Sequence, residues 1–151
     1  MKKLPPVKER SKLYKLREKF YVIDVETNGL EATPEAFIFG CLYGHNERFY
    51  FDDLDTIKKY LVSGKFKGKY IFAHNAEYDF SVIYGNIFKG LDRKAIFNGS
   101  RFVYGEKEKV KFGDSFNIFP TSVKVLGTQI GLEKLEISKD LINATHTEIT
   151  K

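Results

Sequence analysis

Asp24 and Glu26 stand one residue apart in the segment Phe20-Tyr-Val-Ile-Asp-Val-Glu-Thr27. Phe20 to Glu26 is apolar and rich in β-formers, so it reads as a strand. Side chains alternate along a strand, which sends both acids to one face and Ile23 and Val25 to the other. Two carboxylates held this close repel, and burying them beside apolar neighbours is costly unless a cation is shared. Mg²⁺ or Mn²⁺ suits such all-oxygen ligands. The plainer alternative is a solvated pair at a strand end, which a chain with 20 acidic residues can produce by chance.

A second constellation follows in Tyr70-Ile-Phe-Ala-His-Asn-Ala-Glu-Tyr-Asp-Phe80. Asn75 falls where a short buried strand ends. Asp79 falls about one turn into the next helix, from where it can face the strand of Asp24 and Glu26. Asn75 could instead cap that helix, and Tyr78 could be ordinary core beside Phe80. His74 reads as a packed, hydrogen-bonded residue. A third stretch runs Phe112-Gly-Asp-Ser-Phe-Asn-Ile-Phe-Pro120 and continues at Gly131-Leu-Glu-Lys-Leu-Glu136. Asp114 ends a strand there and is expected to make local hydrogen bonds, not to hold metal. Ser115 could serve a turn, and Lys134 could be a solvated surface charge.

Asp24-x-Glu26-Thr27 followed by Asn75-x-x-Tyr78-Asp79 resembles the first and second motifs of DEDD-type 3′-5′ exonucleases, above all the proofreading domains of family B DNA polymerases. The third stretch resembles the strand-to-helix region of the protein-primed, viral members of that family. The resemblance covers about Phe20 to Lys151 and implies an RNase H-like fold. It also implies two metal ions, Mg²⁺ or Mn²⁺, that clamp the attacking and leaving oxygens of an in-line displacement. Asp24 would bridge both ions, Glu26 would bind the one that activates water, and Asp79 would complete the shell through water. Thr27, Asn75 and Tyr78 would hold the last nucleotides of a single-stranded DNA 3′ end. Ser115, Phe116 and Lys134 would hold the strand behind them, with Phe116 standing where the family has Leu.

The family's third motif, Tyr-x-x-x-Asp, does not occur in this chain. The last Tyr is Tyr104, and the acids after Asp114 are Glu133, Glu136, Asp140 and Glu148. Two expectations follow. One is a piece of a longer polymerase whose missing motif lies just beyond Lys151. The other is a complete short protein that binds single strands and catalyses weakly or not at all, acting through a polymerase domain or other replication partner. Nothing in the sequence visibly reads a 2′-hydroxyl, so RNA stays open as a substrate.

The elements that must position these residues follow from periodicity. Ala36 to Tyr43 and Arg48 to Phe51 complete an antiparallel meander with the first strand. Leu54, Ile57, Tyr60 and Leu61 mark a helix over Asp53 to Ser63 that stops at Gly64. Lys69 to Ala73 is a short strand, and Phe80, Ile83, Tyr84 and Ile87 space a helix over Glu77 to Phe88. Ala95–Phe97, Phe102–Tyr104 and Val110–Phe112 read as strands, with Gly105 to Lys109 as an exposed turn. Pro120 opens a last helix carrying Val123, Leu126 and Ile130. The order β-β-β-α-β-α-β-β-β-α describes an α/β mixed sheet with helices packed on it.

Composition sets the frame. At 151 residues with 42% hydrophobic residues the chain can bury one core without covalent staples. Met1 to Lys19 forms a basic arm, and 20–151 is the expected exonuclease domain. A net charge of +5 and a pI near 9.1 suit a polyanionic partner. Cys41 is the single cysteine, so it has no internal disulfide partner. No apolar run reaches the roughly 18 residues of a membrane span. The expectation is a soluble protein of the cytoplasm, the host-cell cytoplasm if the source is a virus.

Overall fold

The computed structural model describes residues 15–86, 91 and 95–133. Most of the basic arm, Lys134 and the stretch after it lie outside the described residues. The elements follow the expected order: β1 (Phe20–Thr27), β2 (Phe37–Tyr43), β3 (Arg48–Phe51), α1 (Leu54–Leu61), β4 (Tyr70–Ala73), α2 (Ala76–Tyr84), β5 (Ile96–Asn98), β6 (Arg101–Lys107), β7 (Val110–Asp114) and α3 (Val123–Gln129). Among the described residues seven strands form one mixed sheet in the order β3-β2-β1-β4-β7-β6-β5. The meander β3-β2-β1 is antiparallel, β1, β4 and β7 run parallel, and β6 and β5 turn back. This is the α/β, RNase H-like arrangement the motif order implies.

Alternation along β1 decides which face becomes core. Tyr21, Ile23 and Val25 are buried, while Val22 and Asp24 are exposed. Ile71, Ala73, Phe102 and Phe112 extend the buried face, and Phe80 of α2 meets Phe102 and Phe112 edge-on at 6.0 and 5.2 Å. Helix α1 adds Ile57 and Leu61. Its N-cap Asp53 accepts the Thr56 N–H at 2.7 Å, a cap worth about 1 kcal/mol. On the opposite face Phe20, Tyr70 and Phe72 form an aromatic cluster. Gly113 keeps room for it, because a Cβ there would meet the Phe72 ring at 2.7 Å.

Boundaries differ where turn chemistry overrode pattern. Residues Pro34–Ala36 form a 3₁₀ turn, so β2 begins one residue later than expected. Helix α2 ends at Tyr84 because Gly85 takes φ 76°, a left-handed stop; the expected continuation to Phe88 runs beyond the described residues. Gly105 to Lys109 is not a loop. Strand β6 continues through Lys107, and Glu108 and Lys109, at φ 49° and 65°, make a two-residue turn of the type that matches strand twist. Glu-Lys lacks the Asn-Gly or Asp-Gly signal of such turns. Helix α3 starts after its cap Ser122, not at Pro120, and buries none of its residues in the described structure.

Candidate active site at the strand ends

The site residues gather at the carboxyl ends of the three parallel strands, the edge where open α/β sheets bind ligands. Thr27 ends β1, His74 and Asn75 follow β4, and Asp114, Ser115 and Phe116 end β7 and begin a 3₁₀ turn. Strands β1 and β4 pair over three positions, from Phe20↔Tyr70 to Val22↔Phe72. Beyond that point the pairing ends, and the amino end of α2 reaches β1.

Asp79 enters there with it. It is buried to 4% exposure, and its Oδ1 accepts the Val25 N–H at 3.0 Å, a donor that the interrupted β1–β4 ladder would otherwise leave unmet. Asp24 and Glu26 flank Val25 on the strand, Asp24 exposed and Glu26 half-buried. Burial, and next the charge of Asp24, pushes the Asp79 carboxyl up to about 8; the Val25 hydrogen bond opposes this and Glu26 adds to it. The alternation that puts Asp24 and Glu26 on one face is as the sequence implies.

Such crowding of like charge is what a divalent cation relieves, and the oxygen donors suit Mg²⁺ or Mn²⁺. The chelate itself is not closed. Among the described residues no group of three His, Cys, Asp or Glu side chains is gathered tightly enough to hold one ion. Asp79 has an oxygen turned to backbone, so the donor chemistry fits a cation bound directly by β1 and only indirectly by α2.

Thr27 lies just past a register shift between Glu26 and Thr27. Such irregularities re-aim side chains near active sites. Its Oγ1 is hydrogen-bonded to the Tyr78 hydroxyl, joining the end of β1 to α2. Tyr78 is half-buried against the core, so it is packed as core and polar at its tip. Asn75 occupies the N-cap position in a left-handed conformation, φ 69° and ψ 53°, and its side chain makes no capping bond. The cap expected as its structural alternative is therefore absent. A non-glycine residue held there marks a place where surrounding structure outweighs backbone preference. Asn75 and Tyr78 border an open cleft of about 430 Å³ that also includes Ala32, Glu77 and Ser81.

The β7 end is tied to the β4 end. His74 donates from Nε2 to the Thr121 carbonyl at 2.6 Å, and its Nδ1 meets Ser115 Oγ at 3.1 Å. Ser115 Oγ in turn donates to the Ala73 carbonyl at 3.2 Å. The Ser115 hydroxyl is thus turned into the protein, a tie between strands. The Phe116 ring lies 5.4 Å from the His74 ring and carries the Arg101 guanidinium 4.3 Å from its centroid. Arg101 was not singled out by the sequence; it sits in an unremarkable Gly-Ser-Arg-Phe turn, and only the β6–β7 pairing brings it to Phe116. Lys134 lies outside the described residues.

Comparison with protein families and with curated proteins finds no match to this chain. Among solved structures the fold is similar to phi29 DNA polymerase complexed with primer-template DNA and incoming nucleotide substrates, with a TM-score of 0.58 and 14% identity over 88% of this chain. It is also similar to phi29 DNA polymerase complexed with single-stranded DNA, with a TM-score of 0.56 and 17% identity over 82% of this chain. At these identities the likeness is one of fold. The chain spans 28% and 25% of those two polymerase chains.

Proposed function

We propose that this chain carries a 3′-5′ exonuclease site of the proofreading type that acts on single-stranded DNA ends. The observation that carries this reading is the buried Asp79, bonded to the strand between Asp24 and Glu26, with Thr27, Asn75 and Tyr78 around it. Bound Mg²⁺ or Mn²⁺ would activate water and stabilise the charge that develops on the leaving oxygen. Asp24 and Glu26 would hold the ions, with Asp79 behind them on α2. Thr27 and Tyr78 hold the terminal nucleotide as a unit, and the Tyr78 ring offers it a stacking surface. Asn75 presents its amide, and Phe116 with Arg101 supports the strand behind the end. The fold likeness to a polymerase seen with single-stranded DNA supports this reading.

A second reading, a single-strand-binding module with weak or no catalysis, is favoured by one observation. The acids do not close a three-ligand chelate among the described residues. One assay separates the two. A 5′-labelled single strand incubated with Mn²⁺ is expected to shorten in a ladder with the natural chain and to stay intact with Asp24→Ala. Laddering that persists in Asp24→Ala defeats the exonuclease reading, and tight binding without any ladder favours the module. RNA and DNA strands run side by side decide the sugar preference.

A further inference from the structure

Among the described residues, two acidic side chains are buried, Asp79 and Asp114, and both accept backbone N–H groups at the strand ends. Asp79 belongs to the site already described. Asp114, at 3% exposure, has no part in it so far. Its Oδ1 accepts the Asn75 N–H and the Phe116 N–H, both at 2.9 Å. One oxygen therefore fixes two amides that lie 41 positions apart in the sequence and one on each neighbouring strand end, where Ala73 pairs with Asp114.

We propose that Asp114 is a positioning residue of the strand-binding site, holding Asn75 in its left-handed conformation and Phe116 at the matching height. This rests on the reading of Asn75 and Phe116 as single-strand contacts. A left-handed backbone is uncommon outside glycine, and although asparagine tolerates it better than most residues, a fixed amide narrows Asn75 to that one conformation. The Asn75 side chain makes no cap bond, and its N–H donates to the Asp114 carboxylate, which anchors this residue to the end of β7. The same oxygen caps the 3₁₀ turn Ser115–Asn117 and so sets where the Phe116 ring, with Arg101 over it, faces. Charge-assisted bonds to backbone are the strong kind, and burial removes competition from water. Asp114 touches no substrate in this account; it acts through Asn75 and Phe116.

Both bonds use one oxygen, and this makes the account testable. In Asp114→Asn the amide carbonyl can accept both N–H groups, whereas Asp114→Ala leaves both unmet. The full chain is titrated in EDTA against a 5′-fluorescein oligothymidylate with a free 3′ end, followed by anisotropy, with thermal melts as a check on folding. Asp114→Ala is expected to weaken binding about tenfold, while Asp114→Asn stays within about threefold of the natural chain. In an Asn75→Ala, Phe116→Ala background, Asp114→Ala is expected to add less than about threefold, because the groups it positions are gone. If Asp114→Ala does not fold, Asp114→Ser replaces it, since a serine oxygen can cap the turn but is too short to span to Asn75; it too is expected to weaken binding. Unchanged binding in the folded Ala or Ser variant, or the same loss in the double-alanine background, overturns the inference. If Asn75→Ala and Phe116→Ala have no effect by themselves, the strand-binding reading fails, and that failure is visible separately.

Discussion

The two ends of the sheet handle charge in opposite ways. At the amino end of β1, the Tyr21 hydroxyl donates to Glu47 at 2.5 Å, Lys65 pairs with Glu47, and Lys69 reaches Tyr21 at 3.2 Å. Lys65 and then Tyr21 hold the Glu47 carboxyl below its ordinary range. At the carboxyl end, burial and Asp24 push the Asp79 carboxyl up to about 8. Opposite charges meet at one end, and at the other a buried carboxyl is raised by its burial and by the like charge of Asp24. The first arrangement is complete as it stands; the second is the kind that a cation or a proton must finish. Structural polar networks are built for pairing, and functional ones are often left electrostatically strained.

That contrast can be broken by mutation. The largest expected effect is Asp24→Ala, which should cut strand degradation by about three orders of magnitude, the scale of a metal clamp's several kcal/mol, with no loss of thermal stability. Next is pH. An acid whose folded pKa is raised holds its proton in the folded state after the unfolded chain has lost it. The Asp79 contribution to stability in EDTA should therefore be greatest near pH 4 and fall as pH rises through about 8. In Asp79→Asn, which keeps an acceptor for Val25, that fall should be much reduced in melts taken across this range. A slope equal to that of the natural chain would show that Asp79 is not the strained group.

Tyr78→Phe removes the hydroxyl bonded to Thr27 while keeping the ring. Anisotropy should show 3′-end affinity lowered by about 1 kcal/mol, the net worth of one hydrogen bond. The smallest effect belongs to the opposite end. Glu47 is 40% exposed at its side chain, so Glu47→Ala should cost less than about 1 kcal/mol in denaturant melts, less still in salt. Strand degradation should not change. Loss of degradation in Glu47→Ala would erase the distinction between the ends.

Much of this was legible in the residues. Strict alternation in Phe20 to Glu26 gave the face of each acid, and the spacing of Asp79 after β4 brought it to β1. What sequence could not supply was the end of the β1–β4 pairing. Where a parallel ladder stops is a tertiary property without a local signal. The Asn75 conformation was hidden for the same reason, since its anchor Asp114 is remote in sequence. The Glu108-Lys109 turn was missed because neither residue favours positive φ, and the β6–β7 pairing imposes it. Ser115 carried a motif resemblance, yet its hydroxyl is spent between strands.

Cation binding by the carboxylates tests the central claim most directly. Mn²⁺ titrated into the full chain at pH 8, with free ion followed by electron paramagnetic resonance, should show uptake accompanied by proton release as Asp79 ionises. Asp24→Ala should leave the free-ion signal close to that of buffer. Equal uptake by both proteins, or none by the natural chain, would contradict a metal site at the end of β1.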